Sequence, residues 1–180
     1  MMITLLMLGD SLVEWGDWQR FLPGVAVVNR GLAGEMTSEL AARLHDEMAD
    51  CPAPDAVLVQ SGTNNLLFGD LYFPFIFETM LSRLRLAYPH QPIIVCSLAP
   101  MPIVPAADLA QVNQGLARAA AGVANGHFLD LVGPFTERCL PITHPGFLDD
   151  QVHLSSRGYQ VWADAISRSL ATLFPDRRHG

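Results

Sequence analysis

Residues 3–12 read ITLLMLGDSL, an apolar run that ends in glycine and is followed by two small polar residues. Such a run predicts a strand buried on both faces, as in a parallel sheet that helices cover on both sides. Four further runs bounded by turn residues are candidate strands, and most of them are almost wholly apolar: Val25–Val28, Ala56–Gln60, Ile93–Ser97 and His127–Asp130. Amphipathic stretches separate these runs, so the sequence predicts an α/β fold, a three-layer α/β/α sandwich.

Four amphipathic stretches predict the principal helices. They lie at Thr37–Met48, about Phe75–Leu86, Ala106–Val123, and from Ser155 or Ser156 to Leu173. In the last of them Tyr159, Trp162, Ile166 and Leu170 recur at helical spacing, and either serine can cap its start. The tail 175–180 has no apolar residue, so we expect it to fray.

The size and composition of the chain indicate one domain. Its 180 residues fall within the usual range of a compact domain, and 50% of them are hydrophobic while 16% are charged. We therefore expect residues 1–180 to form a single folded unit. The apolar stretches fall well short of the ~18 residues needed to cross a membrane, so stable membrane insertion is not expected.

Charge and cysteine usage bear on partners and location. Eleven basic and 18 acidic residues give a net charge of -7, which disfavours binding to nucleic acid or to anionic membranes. Cys51, Cys96 and Cys139 are odd in number and lack the spacing of a metal or redox site. Residues 2–8 lack the basic segment and cleavage site of a signal peptide. We expect reduced thiols and a cytoplasmic location.

Polar residues follow the predicted strands, at the edge of a parallel sheet where ligands bind. Ser11 follows the first strand, where its hydroxyl can act as a nucleophile. The alternative is that Asp10 and Ser11 simply cap the next helix. Gly31 and Gly34 follow the second strand and expose backbone amides, which suits an oxyanion hole or a tight turn. Asn64 follows the third strand, and its side-chain amide can donate to an oxyanion or serve ordinary turn chemistry.

A carboxylate and an imidazole lie close together near the carboxyl end. Asp150 precedes His153 by three residues, which brings both side chains to one side of a single turn. In this position a carboxylate can hold the imidazole tautomer that accepts a proton from a serine hydroxyl. A histidine in a loop is, taken alone, more often structural. The pair therefore indicates a catalytic function only together with the segments that precede it.

Four segments together resemble the sequence blocks of the GDSL or SGNH hydrolases, in the order that the family has them. They are Gly9-Asp10-Ser11-Leu12, the stretch from Asn29 to Thr37, Gly62-Thr63-Asn64-Asn65, and Asp150-x-x-His153. The resemblance implies a flavodoxin-like sandwich with about five parallel strands. Asn29-Arg30-Gly31 is similar to the branch that includes platelet-activating-factor acetylhydrolase-like proteins and acetylesterases. Asn65 stands where many members have aspartate, a supportive position, so we expect little loss of chemistry.

The resemblance implies a role for each matching residue. Ser11 is the nucleophile, His153 is the base, and Asp150 orients the imidazole. The oxyanion hole consists of the backbone amides of Ser11 and Gly34 and the side-chain amide of Asn64.

The implied activity is the hydrolysis of carboxylic esters, with small or short-acyl substrates favoured, through an acyl-enzyme intermediate. This chemistry needs neither a metal nor a cofactor, and the expected partner is a small-molecule ester. The same site could instead act on thioesters or lysophospholipids, or remove acetyl groups from carbohydrates. An alternative from a different class is a non-catalytic flavodoxin-like binding module.

Apolar residues beside the predicted nucleophile and beside Asn64 are candidates for substrate contact. Trp15, Leu66 and Phe68 could bind an acyl chain, and Pro100 could form one wall of the pocket. The alternative is that these side chains belong to the core, to helix packing or to a surface loop.

Overall fold

A computed structural model describes residues 2–140 and 145–176 of the chain. Within them, five parallel strands form one sheet. The strands are β1 (Ile3–Gly9), β2 (Val25–Gly31), β3 (Ala56–Gln60), β4 (Ile93–Cys96) and β5 (Gly126–Leu129). Their spatial order is β2-β1-β3-β4-β5, the flavodoxin-like order in which the connections change direction between β1 and β3. The predicted α/β class and the parallel sheet are confirmed.

The helices occupy the stretches between and after the strands. They are α1 (Ser11–Glu14), α2 (Trp18–Phe21), α3 (Thr37–Asp50), α4 (Thr63–Leu67), α5 (Pro74–Ala87), α6 (Ala106–Ala121), α7 (Val132–Cys139) and α8 (Ser156–Leu173). The four long helices α3, α5, α6 and α8 confirm the predicted ones, with ends that differ by at most two residues. The short helices α2, α4 and α7 were not predicted, because one or two turns are too short to show a helical period.

The helices form two groups, as a sheet covered on both faces requires. In one group α5 packs against both α3 and α6, and in the other α8 packs against both α2 and α7. The interior strand β1 is almost entirely buried, and every residue of the central strand β3 is buried. The outer strands β2 and β5 are partly exposed, so the prediction of burial on both faces is wrong for them. An edge strand has a neighbour on one side alone, which leaves its other side open.

The three cysteines are free and buried. Burial raises the pKa of the Cys96 thiol to about 12, which keeps this side chain protonated at neutral pH. In the described ranges, none of the helices has the length and apolarity to span a membrane.

The start of α8 is capped by Ser155 rather than by Ser156. The Ser155 hydroxyl oxygen accepts hydrogen bonds from the backbone N–H groups of Arg157 and Gly158, and the hydroxyl donates to the carbonyl oxygen of Pro145. The apolar stripe of α8 is buried as predicted, with Trp162 among the most buried large side chains. The tail prediction falls mostly on residues 177–180, which lie outside the described residues.

Replacing Ser155 with alanine is expected to lower the free energy of unfolding by about 1 kcal/mol, because two helix amides and one carbonyl lose their partner. Urea denaturation measures this change. Ser156→Ala is the matched control, since its side chain makes none of these capping bonds. Equal destabilisation by the two substitutions would contradict the capping role of Ser155.

Candidate active site

Ser11 is held at the carboxyl edge of the sheet by the short helix α1, of which it is the first residue. Side chains from distant elements satisfy the carbonyl groups of this helix. Tyr159 Oη donates to the Leu12 carbonyl at 3.0 Å, and Trp18 Nε1 donates to the Val13 carbonyl at 2.8 Å. The backbone that carries Ser11 is therefore fixed by packing and hydrogen bonds from α2 and α8.

Asp10 connects the Ser11 turn with the turn that follows β3. One of its carboxylate oxygens accepts from the Leu12 N–H at 3.1 Å and the other from the Thr63 N–H at 3.3 Å. The side chain is fully buried, and this burial raises its pKa to about 6, although the hydrogen bonds from Leu12 and Thr63 act in the opposite direction. Asp10 is the N-cap residue of α1.

The structure brings Ser11, His153 and Asp150 together. The Ser11 Oγ atom lies 3.1 Å from His153 Nε2, and His153 Nδ1 lies 2.6 Å from Asp150 Oδ2. The other oxygen of Asp150 accepts from the backbone N–H groups of Val152 and His153. The hydrogen bond with His153 is the main reason why the pKa of Asp150 is lowered to about 2. At neutral pH Asp150 is therefore a carboxylate that holds the imidazole by one ring nitrogen.

A tight turn places Asp150 and His153 on the same side of their loop. The loop is closed by an antiparallel bridge between Phe147 and Leu154, and the Leu148 N–H donates to the His153 carbonyl at 2.7 Å. Gln151 adopts the left-handed conformation, with a φ of 61°. The three-residue spacing in the sequence thus corresponds to a real juxtaposition of the two side chains.

The backbone amide groups of Gly34 and Ser11 are the two that the family resemblance implies for an oxyanion hole. Neither donates a hydrogen bond to another group in the described part of the chain. Gly34 has a φ of 79°, and the space where a side chain would begin is open. A residue with a side chain would be strained in this conformation.

The side chain of Asn64 contacts the residue that follows Gly34. Its Nδ2 atom donates to the Glu35 carbonyl oxygen at 2.9 Å. A primary amide has two N–H donors, so this bond fixes the orientation of the group and leaves the second donor for a ligand.

An ion pair that the sequence reasoning missed holds the Gly34 segment in place. The buried carboxylate of Glu35 accepts two hydrogen bonds from Arg43 of α3, and the Arg43 NH2 group also donates to the Arg30 carbonyl at 2.9 Å. The bond to Glu35 is the main cause of the raised pKa of Arg43. Arg43 lies on the polar side of an ordinary amphipathic helix, so no local sequence signal distinguishes it from a surface arginine.

Asn65, the departure from the family pattern, is a buried link between two loops. Its Oδ1 atom accepts from the backbone N–H and the hydroxyl of Thr37, and its Nδ2 atom donates to Asp70 at 2.8 Å. An aspartate at this position could not donate to Asp70 and would face its carboxylate. The asparagine and Asp70 are therefore complementary in this chain.

The four predicted substrate residues lie in different environments. Trp15 is 54% exposed and stacks on His153, so it lies at the site. Phe68 is 81% exposed on the surface that follows α4. Leu66 is buried in the hydrophobic core, which favours the packing role considered for it. Pro100 is partly buried, and its role stays a prediction.

Comparison with known proteins identifies the family of the chain. The sequence model that describes the GDSL-like Lipase/Acylhydrolase family matches residues 7–161, so the chain belongs to that family of hydrolases. The predicted family resemblance is confirmed.

A curated relative and two solved structures illustrate the similarity. The chain is 27% identical over 173 residues to the platelet-activating factor acetylhydrolase IB subunit alpha1 of Rattus norvegicus, an alignment that covers 92% of this chain and 74% of the relative. The lipase/acylhydrolase of Enterococcus faecalis has a TM-score of 0.73 at 21% identity, covering 96% of this chain and 97% of that one. An acetyl esterase mutant with an acetate ion has a TM-score of 0.78 at 21% identity, covering 97% and 99%. At these identities, the two structures show that the fold is shared.

The substitution Asn65→Asp is expected to lower the free energy of unfolding by about 1 to 3 kcal/mol at neutral pH, because a buried donor is lost and two carboxylates face each other. Thermal and urea unfolding measure the change. Asp70→Asn in the same chain should recover part of the loss, since the new amide can donate to the aspartate at position 65. A double variant that is no more stable than Asn65→Asp would contradict this pairing.

Proposed function

We propose that the protein is a serine esterase that hydrolyses carboxylic esters with short acyl groups. The observation that carries the proposal is the chain of contacts from Ser11 Oγ through His153 to Asp150, with distances of 3.1 and 2.6 Å. Membership in the GDSL-like lipase/acylhydrolase family supports the same reaction class. A non-catalytic binding module would have no need for this arrangement of groups.

Each residue of the proposed site has a defined task in the reaction. Ser11 Oγ attacks the acyl carbonyl carbon while His153 Nε2 takes the hydroxyl proton, and Asp150 stabilises the imidazolium that forms. The carbonyl oxygen becomes an oxyanion, which accepts from the Ser11 and Gly34 N–H groups and from the second N–H of Asn64. His153 then gives its proton to the leaving alcohol, and a water molecule hydrolyses the acyl-enzyme by the same steps in reverse.

The form of the surface supports a preference for short acyl groups. Gly34, which flanks the proposed oxyanion position, borders open space. A long acyl chain would remain in contact with water there and would gain little binding energy from burial.

A series of p-nitrophenyl esters from acetyl to decanoyl tests the reaction and the acyl preference together. We expect the highest kcat/KM with acetyl or butyryl esters and a decline with longer chains. Ser11→Ala should abolish turnover and labelling by a fluorophosphonate probe, because both require the serine hydroxyl. Undiminished hydrolysis by Ser11→Ala would refute the proposed nucleophile. Paired oxygen and sulfur esters distinguish an esterase from a thioesterase.

Asn64→Ala is expected to lower kcat about 100- to 1000-fold, because the oxyanion loses one preorganised donor. The measurement is steady-state hydrolysis of p-nitrophenyl acetate, with thermal unfolding as the check on folding. Leu86→Ala, at an exposed position near the end of α5, is the control and should retain parental activity. If Asn64→Ala kept near-parental kcat, Asn64 would not be part of the oxyanion hole.

A further inference from the structure

Trp15 lies flat against the imidazole ring of His153. The ring centroids are 4.2 Å apart and the ring planes are inclined by 28°. The indole nevertheless remains 54% exposed, which is high for so large an apolar side chain. Core packing therefore does not explain why this tryptophan is placed over a polar ring.

Trp15 is rigidly connected to the proposed nucleophile. Its backbone N–H donates to the Ser11 carbonyl at 3.0 Å and closes the single turn of α1. Trp18 and Tyr159 donate hydrogen bonds to the carbonyl groups of this turn. The backbone of Trp15, from which the indole extends, is therefore fixed relative to Ser11. The stack thus joins the turn that carries the nucleophile to the loop that carries the base.

The hydrogen bonds of His153 leave one motion of its ring poorly controlled. The N–H group and the lone pair of an imidazole both point along the ring plane, so the bonds at Nδ1 and Nε2 resist sliding of the ring more than tilting about the line between the two partners. The side chain of Asp150 is 48% exposed, and water competes for its bond. A flat neighbour that covers one face of the imidazole opposes this tilting.

We propose that Trp15 is a positioning residue for the base: its indole keeps the His153 ring in the plane in which Nε2 faces the Ser11 hydroxyl. This inference rests on the proposed esterase function. An aromatic face also attracts a cation, and His153 becomes cationic when it takes the serine proton. The stack therefore favours the transition state over the ground state, and its loss affects turnover more than substrate binding.

Kinetics of Trp15→Ala and Trp15→Phe test the proposal. We expect kcat to fall about 10- to 100-fold in Trp15→Ala, by the same factor for acetyl, butyryl and hexanoyl esters, with KM changed by less than about 2-fold. Phenylalanine retains a flat face, so Trp15→Phe should recover most of kcat. Leu86→Ala again controls for the loss of an exposed apolar side chain and should match the parent.

Fluorescence tests the stack without reference to activity. The emission of Trp15 in the parent is the spectrum of the parent minus that of Trp15→Phe. Its emission without the imidazole is the spectrum of His153→Ala minus that of the double variant with Trp15→Phe. Trp18 and Trp162 are buried and cancel in the subtraction. Loss of the imidazole exposes the covered face of the indole, so we expect a shift of the Trp15 emission to longer wavelength.

The outcomes separate the positioning role from its alternatives. A rise in KM with unchanged kcat, or a loss that grows with acyl length, would show that Trp15 is a wall of the substrate pocket and would overturn the proposal. Parental kcat in Trp15→Ala, or unchanged Trp15 emission in His153→Ala, would also overturn it. Undiminished activity of Ser11→Ala would refute the esterase mechanism itself, whereas the fluorescence result would still report whether the two rings are in contact.

Discussion

The common register of three parallel strands is the constraint on which the site depends. Gly9, the last residue of β1, pairs with Gly31 of β2 on one side and with Gln60 of β3 on the other. A side chain at position 9 would overlap the Gln60 carbonyl oxygen, so the close approach of these strands requires glycine there. Because the three strands end at one level, the segments after them emerge side by side.

Buried polar contacts then convert neighbouring loops into a fixed surface. Asp10 joins the turn after β1 to the turn after β3, and Asn65 joins the turn after β3 to the start of α3. The Glu35 ion pair with Arg43 anchors the segment between them. Each contact satisfies a group that would otherwise be buried without a partner, which makes these loops costly to deform. Stabilisation of an oxyanion requires hydrogen-bond donors that are held in place before the reaction, and loops fixed in this way can hold them.

The sequence predicted those parts of the fold that depend on local pattern. The long helices have a clear period and most of the strands are almost wholly apolar, while the three-residue spacing of Asp150 and His153 is itself a local property. Short elements such as α2 and α4 have too few residues for a period, and the exposed outer face of β2 depends on its place at the sheet edge. Arg43 and Trp15 were not predicted as supports of the site, because their partners lie on other elements.

The amino-acid sequence alone establishes the α/β class, the order of the four polar segments, and the residue types that the proposed chemistry needs. These features can be read from the sequence because each depends on residues that are close together in the chain. The tertiary structure determines which groups meet: the Ser11 hydroxyl with His153, the Asn64 amide with the segment of Gly34, and the indole of Trp15 with the imidazole. Such contacts join residues that are distant in the chain, and the packing of the helices on the sheet sets their distances.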